Sequence, residues 1–282
     1  MQKFRIVPKI NNILKPTSKS PSILGISIIG TGGLFDINEK DSSFIIHFNN
    51  GNILIDCGSD TYKFLKKNNM IKDISHILIT HTHPDHICTL PNIIFDNYIL
   101  NKKITSIETT EKVGEIINNY LLNICFNKKE SFTINNTKDE NFYDLNIKII
   151  KIDTTGYHKK NMPSCGFVFC LKKNNESIYI IFSGDINCPI TKVIKKQNKD
   201  LYKELNDNID NVFVFHEATA VIQDKKDLVH TDYAELNELE FKNIFIYHHS
   251  KEEANIIIEE FPELKSLVLM EKSLILEEIK TF

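Results

Sequence analysis

The chain has 282 residues, with 34 Lys and Arg against 37 Asp and Glu, and its formal net charge is −3. Its 41% hydrophobic and 25% charged residues are typical of a folded globular protein and exclude a wholly disordered chain. The near-neutral charge argues against a surface that binds nucleic acid over its whole extent, although it is compatible with a local basic patch. No apolar run approaches the roughly 18–20 residues of a membrane span, and the first residues lack a secretory signal, so we expect a cytoplasmic protein without membrane attachment.

The chain alternates strand-like runs with helical patterns. Short apolar runs rich in β-branched residues predict strands at residues 23–29, 43–48, 52–55, 74–80, 147–152, 167–171, 178–182, 212–215 and 244–247. The Asn50-Gly51 dipeptide between the second and third runs is typical of a tight hairpin. The spacing of apolar residues predicts helices at residues 60–68, 108–123, 233–240 and 251–259. Strands that come first in hairpins and then alternate with helices predict an α/β fold with mixed sheets and helices outside.

The organisation of the chain indicates a single folded domain. No low-complexity linker or internal repeat divides it, so we expect one domain over residues 23–282 after an N-terminal extension of residues 1–22. The polar segment 127–144 is the best candidate for a surface excursion from that domain. The six cysteines lie far apart and form no CxxC pair, so we expect reduced thiols.

The most informative residues are His81, His83, Asp85 and His86, which fall within six positions directly after a predicted strand. Neutral imidazoles and a carboxylate are the ligands that a divalent metal such as zinc prefers. A turn after a strand can direct alternate side chains to opposite sides, so this segment could supply two adjacent ions. A solvated polar loop is the alternative, but chance rarely places three histidines and an aspartate so close together. We therefore interpret the segment as metal-binding.

Further residues of ligand type follow three other predicted strands. His158 comes after the strand at 147–152, Asp185 after the strand at 178–182, and His248 after the strand at 244–247. A single His or Asp after a strand is more often a cap or a surface residue. Loops at strand ends nevertheless build the sites of layered α/β folds, and here the pattern recurs at three ends. We therefore expect these residues to complete the metal site.

Together these segments resemble the metallo-β-lactamase superfamily, whose signature is HxHxDH followed by a His, a bridging Asp and a final His. The resemblance runs from about Gly25 to Ser250, and includes Gly30-Thr31-Gly32-Gly33 and Asp56-Cys57-Gly58. It implies an αββα sandwich of two mixed β-sheets with helices outside. It also implies two metal ions that share Asp185, one held by His81, His83 and His158 and the other by Asp85, His86 and His248.

The resemblance leaves some details of the metal site open. The family's His-x-Ser pattern favours His248 over His249 as the final ligand. Two divalent ions about 3.5–4 Å apart can share a hydroxide, lower its pKa, and bind both the attacking and leaving oxygens of a phosphoryl centre. Zinc is the expected metal, and manganese also accepts these ligands. Asp56 either accepts a hydrogen bond from a ligand imidazole or forms a turn before Gly58, and the sequence favours neither reading.

A second motif narrows the expected chemistry. His216-Glu217-Ala218-Thr219 follows the strand at 212–215, and His230-Thr231 begins thirteen residues after Glu217. Both elements resemble those of the ribonuclease Z group of phosphodiesterases. The resemblance implies that Glu217 pairs with His230, which protonates the leaving oxygen, so that the catalytic residues are Asp85, Glu217 and His230. A carboxylate that accepts from one imidazole nitrogen keeps the ring oriented and protonated, as a general acid requires. The alternatives are a structural salt bridge for Glu217 and a helix N-terminal position for His230.

The same comparison predicts the size of the substrate. Ribonuclease Z enzymes typically carry a long arm that binds transfer RNA, inserted in many bacterial members before the Ser-Gly-Asp strand. Here residues 172–177 alone separate the two strands, which predicts a hairpin turn. The missing arm indicates a small phosphodiester, a cyclic nucleotide above all, because similar armless relatives open cyclic nucleotides. A ribonuclease Z-type endonuclease that processes transfer-RNA 3′ ends is the alternative, and a metal-bearing binding protein without catalysis is a third. The resemblance also implies a homodimer.

Overall fold

A computed structural model of the chain describes residues 23–48, 51–137, 139–142, 147–173, 176–220, 229–236, 241 and 243–260. The predicted extension of residues 1–22 lies outside these ranges. The strands in the described part are β1 (Ile23–Gly30), β2 (Ser43–Phe48), β3 (Gly51–Ile55), β4 (Ile74–Leu78), β5 (Thr105–Glu108), β6 (Phe132–Asn135), β7 (Asp139–Phe142), β8 (Ile147–Asp153), β9 (Cys165–Lys173), β10 (Glu176–Phe182), β11 (Val212–Glu217) and β12 (Asn243–Tyr247). The α-helices there are α1 (Thr61–Lys67), α2 (Pro84–Ile87), α3 (Leu90–Ile99), α4 (Glu111–Asn119), α5 (Ile190–Gln197), α6 (Lys199–Asp207), α7 (Tyr233–Leu236) and α8 (Lys251–Glu260).

The described strands form two mixed sheets. The first has the order β1-β2-β3-β4-β5-β6, with antiparallel pairing from β1 to β3 and parallel pairing from β3 to β6. The second has the order β12-β11-β10-β9-β8-β7, with β10, β11 and β12 parallel and the other pairs antiparallel. Both predicted hairpins are confirmed, because Phe48 pairs with Gly51 and Lys173 pairs with Glu176.

The two sheets pack face to face through apolar side chains. The ring of Phe44 in β2 lies 5.2 Å from that of Phe182 in β10 and 5.0 Å from that of Tyr247 in β12, measured between centroids. Separate apolar clusters join the outer face of the first sheet to α1, α3 and α4, and that of the second sheet to α5, α6 and α8. The predicted αββα sandwich is therefore confirmed. Across the described ranges, no helix has the length and apolar character needed to cross a bilayer.

Several elements differ from the sequence-based expectation. The helix expected at 108–123 was wrong at its start, because Glu108 ends β5 and α4 begins at Glu111. β5 has four residues, which is too few for a periodic pattern to be recognised. The polar segment 127–144 contains β6 and β7, each at the edge of a sheet, rather than a plain surface excursion. Its polar composition suits a half-exposed edge strand. The helices α2, α3, α5 and α6 were not predicted.

A buried ion pair connects the two sheets. Nζ of Lys151 in β8 lies 3.3 Å from Oε2 of Glu108 in β5, and the two side chains are 1% and 0% exposed. The same ammonium donates a hydrogen bond to the backbone oxygen of Asn135 at 2.8 Å. Because β5 and β8 belong to different sheets, this pair fixes one sheet against the other.

Candidate metal centre and catalytic pair

The predicted ligands lie where several strand ends meet at one edge of the sandwich. The first sheet contributes the segment after β4, and the second sheet contributes the ends of β10 and β12 and the loop between β8 and β9. Six of the seven predicted ligands are buried and His83 is partly exposed. The structure brings all of them together: His81, His83, Asp85, His86, His158, Asp185 and His248.

Three imidazoles and a carboxylate form the first group. Nε2 of His81 lies 3.1 Å from Nδ1 of His83, and Nε2 of His158 lies 3.2 Å from that same atom. Oδ2 of Asp185 lies 3.6 Å from Nε2 of His81. The ligand atoms of these four residues all lie within 4.8 Å of one another. A divalent ion bound at about 2 Å from each atom fits such a group.

The second group consists of Asp85, His86 and His248, whose ligand atoms also lie within 4.8 Å of one another. Nε2 of His248 and Nε2 of His86 lie 3.2 Å and 3.4 Å from Oδ2 of Asp85. Asp185 contacts this group as well, because its Oδ1 lies 3.4 Å from Nε2 of His86 and its Oδ2 lies 3.4 Å from Nε2 of His248. Asp185 therefore lies between the two groups, where a carboxylate can bridge two ions.

The hydrogen bonding of these residues is consistent with bound cations. Oδ1 of Asp85, Nε2 of His86 and Oδ1 of Asp185 are buried, and none has a hydrogen-bond partner among the described residues. Buried polar atoms normally have a partner, because leaving one unpaired costs about 1–3 kcal/mol. Divalent ions and the water bound to them would satisfy all three atoms. The residues present thus fit the metal that the resemblance implies.

Hydrogen bonds on the far side of the rings orient the ligands. Nδ1 of His86 lies 2.8 Å from Oδ2 of Asp56, which also accepts from the hydroxyl of Thr80 at 2.8 Å. Nδ1 of His158 donates to the backbone oxygen of Val229 at 2.7 Å. Each bond leaves Nε2 directed at the cluster, as in many metal sites. Of the two readings for Asp56, the structure shows the contact with a ligand ring. Thr80 was not predicted, because a lone hydroxyl after a strand gives no sequence signal.

Burial and neighbouring carboxylates set the charges at the site. Burial lowers the pKa of His81 well below its usual value, so the ring is neutral and keeps a lone pair for a metal. Burial acts in the same direction on His86, but the charges of Asp185 and Asp56 outweigh it and raise the pKa. Burial would raise the pKa of Asp185, yet His248 and His86 hold it well below its usual range. A position where positive charge is stabilised in this way also favours a bound cation.

The structure distinguishes His248 from His249. His248 has a φ of 63° and directs Nε2 at the two carboxylates of the cluster. The ring nitrogens of His249 instead face the backbone oxygens of Ser250 and Ile246, at 3.2 and 3.3 Å. His248, and not His249, therefore lies with the other predicted ligands, at the position that the family pattern favoured.

Glu217 and His230 form a pair beside the cluster. Nδ1 of His230 lies 3.0 Å from Oε2 of Glu217 and 4.0 Å from Oδ2 of Asp185. Oε1 of Glu217 accepts from the backbone N–H of Ile186 at 3.2 Å and of Thr231 at 2.9 Å, so the carboxylate is fully engaged. Burial would lower the pKa of His230, but Glu217 outweighs it and raises the pKa to about 9. The side chain of His230 is 23% exposed, so the ring can reach a bound molecule.

Two kinds of curated relative match parts of the chain. Ribonuclease Z of Clostridium beijerinckii is 31% identical over 164 residues, which is 54% of this chain and 50% of that protein. Anti-Pycsar protein Apyc1 of Bacillus phage BSP38 is 38% identical over 78 residues, which is 27% of this chain and 30% of that protein. The chain thus spans half or less of the length of these two relatives.

Solved structures share the fold over most of the chain. The metallo-β-lactamase fold protein YhfI from Bacillus subtilis has a TM-score of 0.66 at 15% identity, and the match covers 89% of this chain and 98% of that one. The short form of human tRNase Z has a TM-score of 0.55 at 18% identity, with coverage of 80% and 93%. At these identities the likeness shows the metallo-β-lactamase fold alone.

A family profile matches most of the chain in sequence. The profile described as "Anti-Pycsar protein Apyc1" matches residues 24–265. That range includes the segment from His81 to His86, the His248-His249 pair, the Ser-Gly-Asp turn and the Glu217–His230 pair. The ribonuclease Z relatives and the fold agree with this placement. The chain therefore belongs to the Apyc1 anti-Pycsar family, within the ribonuclease Z-like part of the metallo-β-lactamase superfamily.

Proposed function

We propose that this protein is a metal-dependent phosphodiesterase that hydrolyses a small phosphodiester, namely a cyclic nucleotide. The observation that carries the proposal is the position of the Glu217–His230 pair, 4.0 Å from the Asp185 carboxylate at the centre of the cluster. Metal ligands alone serve hydrolases of several kinds. A paired imidazole beside them serves a leaving group that needs a proton, as the ribose oxygen of a nucleotide does.

The seven clustered residues are assigned to two metal ions according to the groups that their ligand atoms form. We assign one ion to His81, His83 and His158, a second ion to Asp85, His86 and His248, and both ions to Asp185. Zinc and manganese both accept this donor set. When bound, the ions supply a water of lowered pKa and positive charge beside the phosphoryl oxygens. Asp85, whose Oδ1 lacks a hydrogen-bond partner in the described part of the chain, is assigned to orient the attacking water.

His230 is assigned to act on the leaving ribose oxygen, whereas Asp85 is assigned to the attacking water. Glu217 accepts the hydrogen of Nδ1, which fixes the ring and stabilises its protonated form. The water gives one proton to solvent, and its oxygen forms a bond to phosphorus as the bond from phosphorus to the ribose oxygen breaks. The protonated imidazole then donates its Nε2 proton to that departing oxygen, which becomes a hydroxyl group.

The size of the substrate is inferred from the turn between β9 and β10. Lys173 pairs directly with Glu176, so a two-residue connection occupies the place where many bacterial ribonuclease Z enzymes carry their arm. The formal net charge of −3 also gives little general attraction for a large polyanion. Both observations support a small substrate, and the membership of the Apyc1 family supports a cyclic nucleotide.

An assay of purified protein tests this function against its alternative. The alternative is a ribonuclease Z-type endonuclease, which the 31% identity to the clostridial ribonuclease Z favours. Cyclic mono- and dinucleotides and a precursor transfer RNA are incubated with protein loaded with zinc or manganese, and Asp185→Ala serves as the inactive control. We expect a cyclic nucleotide to be opened and the RNA to stay intact. Cleavage of the RNA alone would establish the alternative, whereas metal binding without any turnover would indicate a binding protein.

We also propose that the protein forms a homodimer, as the family resemblance implies. Apolar side chains of α3 and of the segment after it are solvent-exposed in the single chain: Phe95 by 36%, Ile99 by 53%, Leu100 by 63% and Ile104 by 54%. A second copy would cover such a surface. Analytical ultracentrifugation of the wild type and of Ile99→Lys should show a dimer and a monomer, and a monomeric wild type would reject the proposal. The expected cytoplasmic location stays a prediction.

A further inference from the structure

His216 is the next-to-last residue of β11, directly before Glu217, and has no part in the proposed reaction. Its side chain is buried, and both ring nitrogens bond to backbone groups. Nε2 accepts from the N–H of Ile190 at 2.9 Å, and Nδ1 contacts the carbonyl oxygen of Glu217 at 2.6 Å. Because an amide N–H only donates and a carbonyl oxygen only accepts, the ring is neutral with its proton on Nδ1.

The contact with Ile190 fixes the start of a helix. Ile190 is the first residue of α5, and the preceding Pro189 provides no side-chain cap. The first N–H groups of a helix have no partner within the helix itself. His216 provides that partner from another element, and it thereby joins the amino end of α5 to the end of β11.

The segment that leads into α5 carries Asp185. Near Asp185, the Oγ of Ser183 accepts from the backbone N–H of Glu217 at 3.0 Å, and the N–H of Ile186 donates to the Glu217 carboxylate. Gly184, between Ser183 and Asp185, has a φ of 60°, and a Cβ there would lie 2.9 Å from the Cβ of Thr80, so the backbone of this turn packs against Thr80 with no room for a side chain. His216 holds the other end of this short segment.

We propose that His216 is a positioning residue, which binds the amino end of α5 and thereby sets the place of Asp185 between the two ligand groups. It touches neither the ligand groups nor the reacting atoms, and it acts through the segment from Asp185 to Ile190. The inference rests on the proposed metal centre. Its consequence is that the affinity for a divalent metal depends on the hydrogen bond from Ile190 to His216.

Two amide variants separate the two bonds of the ring. In His216→Gln, the side-chain oxygen reaches the place of Nε2 and can still accept from Ile190. In His216→Asn, the shorter amide reaches the place of Nδ1 and retains only the contact with the Glu217 carbonyl. His216→Phe removes both bonds. His47→Gln is the matched control, because His47 also bonds through both ring nitrogens, to Ser27 and Asn52, at the end of the β2–β3 hairpin remote from the cluster.

The experiment measures the affinity of the full-length protein for zinc, after removal of metal with a chelator, by competition with a chromophoric chelator. We expect His216→Gln and His47→Gln to bind zinc like the wild type. We expect His216→Asn and His216→Phe to bind it about tenfold more weakly, at the lower end of what loss of a ligand-supporting contact usually costs. The thermal midpoint of unfolding without metal is recorded for each variant.

The variants give distinct outcomes. Wild-type zinc affinity in His216→Asn and His216→Phe, with only the thermal midpoint lowered, would overturn the inference and leave His216 a purely structural role. An equal loss of affinity in His216→Gln and His216→Asn would overturn it too, since the Ile190 bond would then not be the cause. If His216→Phe does not fold, the two amide variants still decide. A wild type that binds neither zinc nor manganese would reject the proposed metal centre itself.

Discussion

The Glu217–His230 pair predicts that the effect of a substitution depends on the leaving group. His230→Ala removes the proton donor but none of the proposed metal ligands. A general acid typically contributes 10²–10⁴-fold to the rate, which corresponds to about 3–5 kcal/mol of the barrier. A cyclic nucleotide expels a strongly basic ribose oxygen and needs the proton, whereas a nitrophenolate ion leaves without one. We therefore expect His230→Ala to lower kcat about 10²–10⁴-fold on the cyclic nucleotide and less than about tenfold on bis(p-nitrophenyl) phosphate.

Glu217→Gln should give the same pattern with a smaller loss. The amide oxygen can still accept from the backbone N–H groups of Ile186 and Thr231, as Oε1 of Glu217 does, so the local fold is retained. The bond that changes is the one to Nδ1 of His230, at 3.0 Å between a buried carboxylate and a ring that it keeps protonated. Such a charge-assisted bond contributes about 1.5–3 kcal/mol, which corresponds to a loss of about 10- to 150-fold.

Steady-state kinetics of zinc-loaded protein on both substrates check this reasoning. His47→Gln, at the β2–β3 hairpin, is the control and should match the wild type on each substrate. Equal losses on the two substrates in His230→Ala would contradict the assignment, because they would show that the residue acts on metal or substrate binding instead of on the leaving group.

Three further predictions concern stability. Zinc should raise the thermal midpoint of unfolding of the wild type, because a ligand that binds only the folded state stabilises that state. Asp185→Asn should abolish most of that rise. Both are measured by calorimetry with and without zinc, and a wild type whose midpoint does not change with zinc would contradict the metal centre. Lys151→Met removes the cation beside the buried Glu108 carboxylate, which keeps its contacts with His76, Ser106 and Asn135, and should lower the free energy of unfolding by about 1.5–3 kcal/mol, measured by urea titration. A loss below about 1 kcal/mol would show that the pair does not hold the sheets. Burial would raise the pKa of Glu108, but hydrogen bonds from His76 and Asn135 and the charge of Lys151 lower it below the ordinary value. A carboxyl group whose pKa is lower in the folded state stabilises the protein fully at pH values above its pKa in the unfolded chain, and this stabilisation is lost as the pH falls through the folded-state pKa. The difference in unfolding free energy between wild type and Glu108→Gln should therefore shrink from about pH 7 to acid pH. A difference that does not depend on pH would refute this account.

The sequence placed the predicted ligands at strand ends, where the structure brings them together, because most of them closely follow an apolar strand run. The apolar run of β4 ends directly before His81, and the runs of β10 and β12 end shortly before Asp185 and His248, so the strand ends could be located without any knowledge of pairing. The sheets then bring these ends together. Residues 108–110 and the edge strands β6 and β7 were misjudged, since their short or polar runs gain their structure from neighbouring strands.

Other parts of the site depend on contacts that have no signature in the sequence. The bond from His158 to the backbone oxygen of Val229 joins residues 71 positions apart, and any residue type at 229 offers the same oxygen. The choice between His248 and His249 depends on the backbone turn at φ 63°, which two adjacent histidines do not reveal. The role of His216 likewise required the position of α5, a helix that the sequence did not predict.

The division of the site between both sheets has a consequence for how the protein is made. The segment from His81 to His86 leaves the ribosome early, whereas Asp185 follows about 100 residues later and His248 only with β12. A nascent chain that lacks β12 thus holds a histidine-rich loop without the partners that would close a cage around an ion. The proposed metal centre can therefore form in full only after β12 has been made and the second sheet has docked on the first.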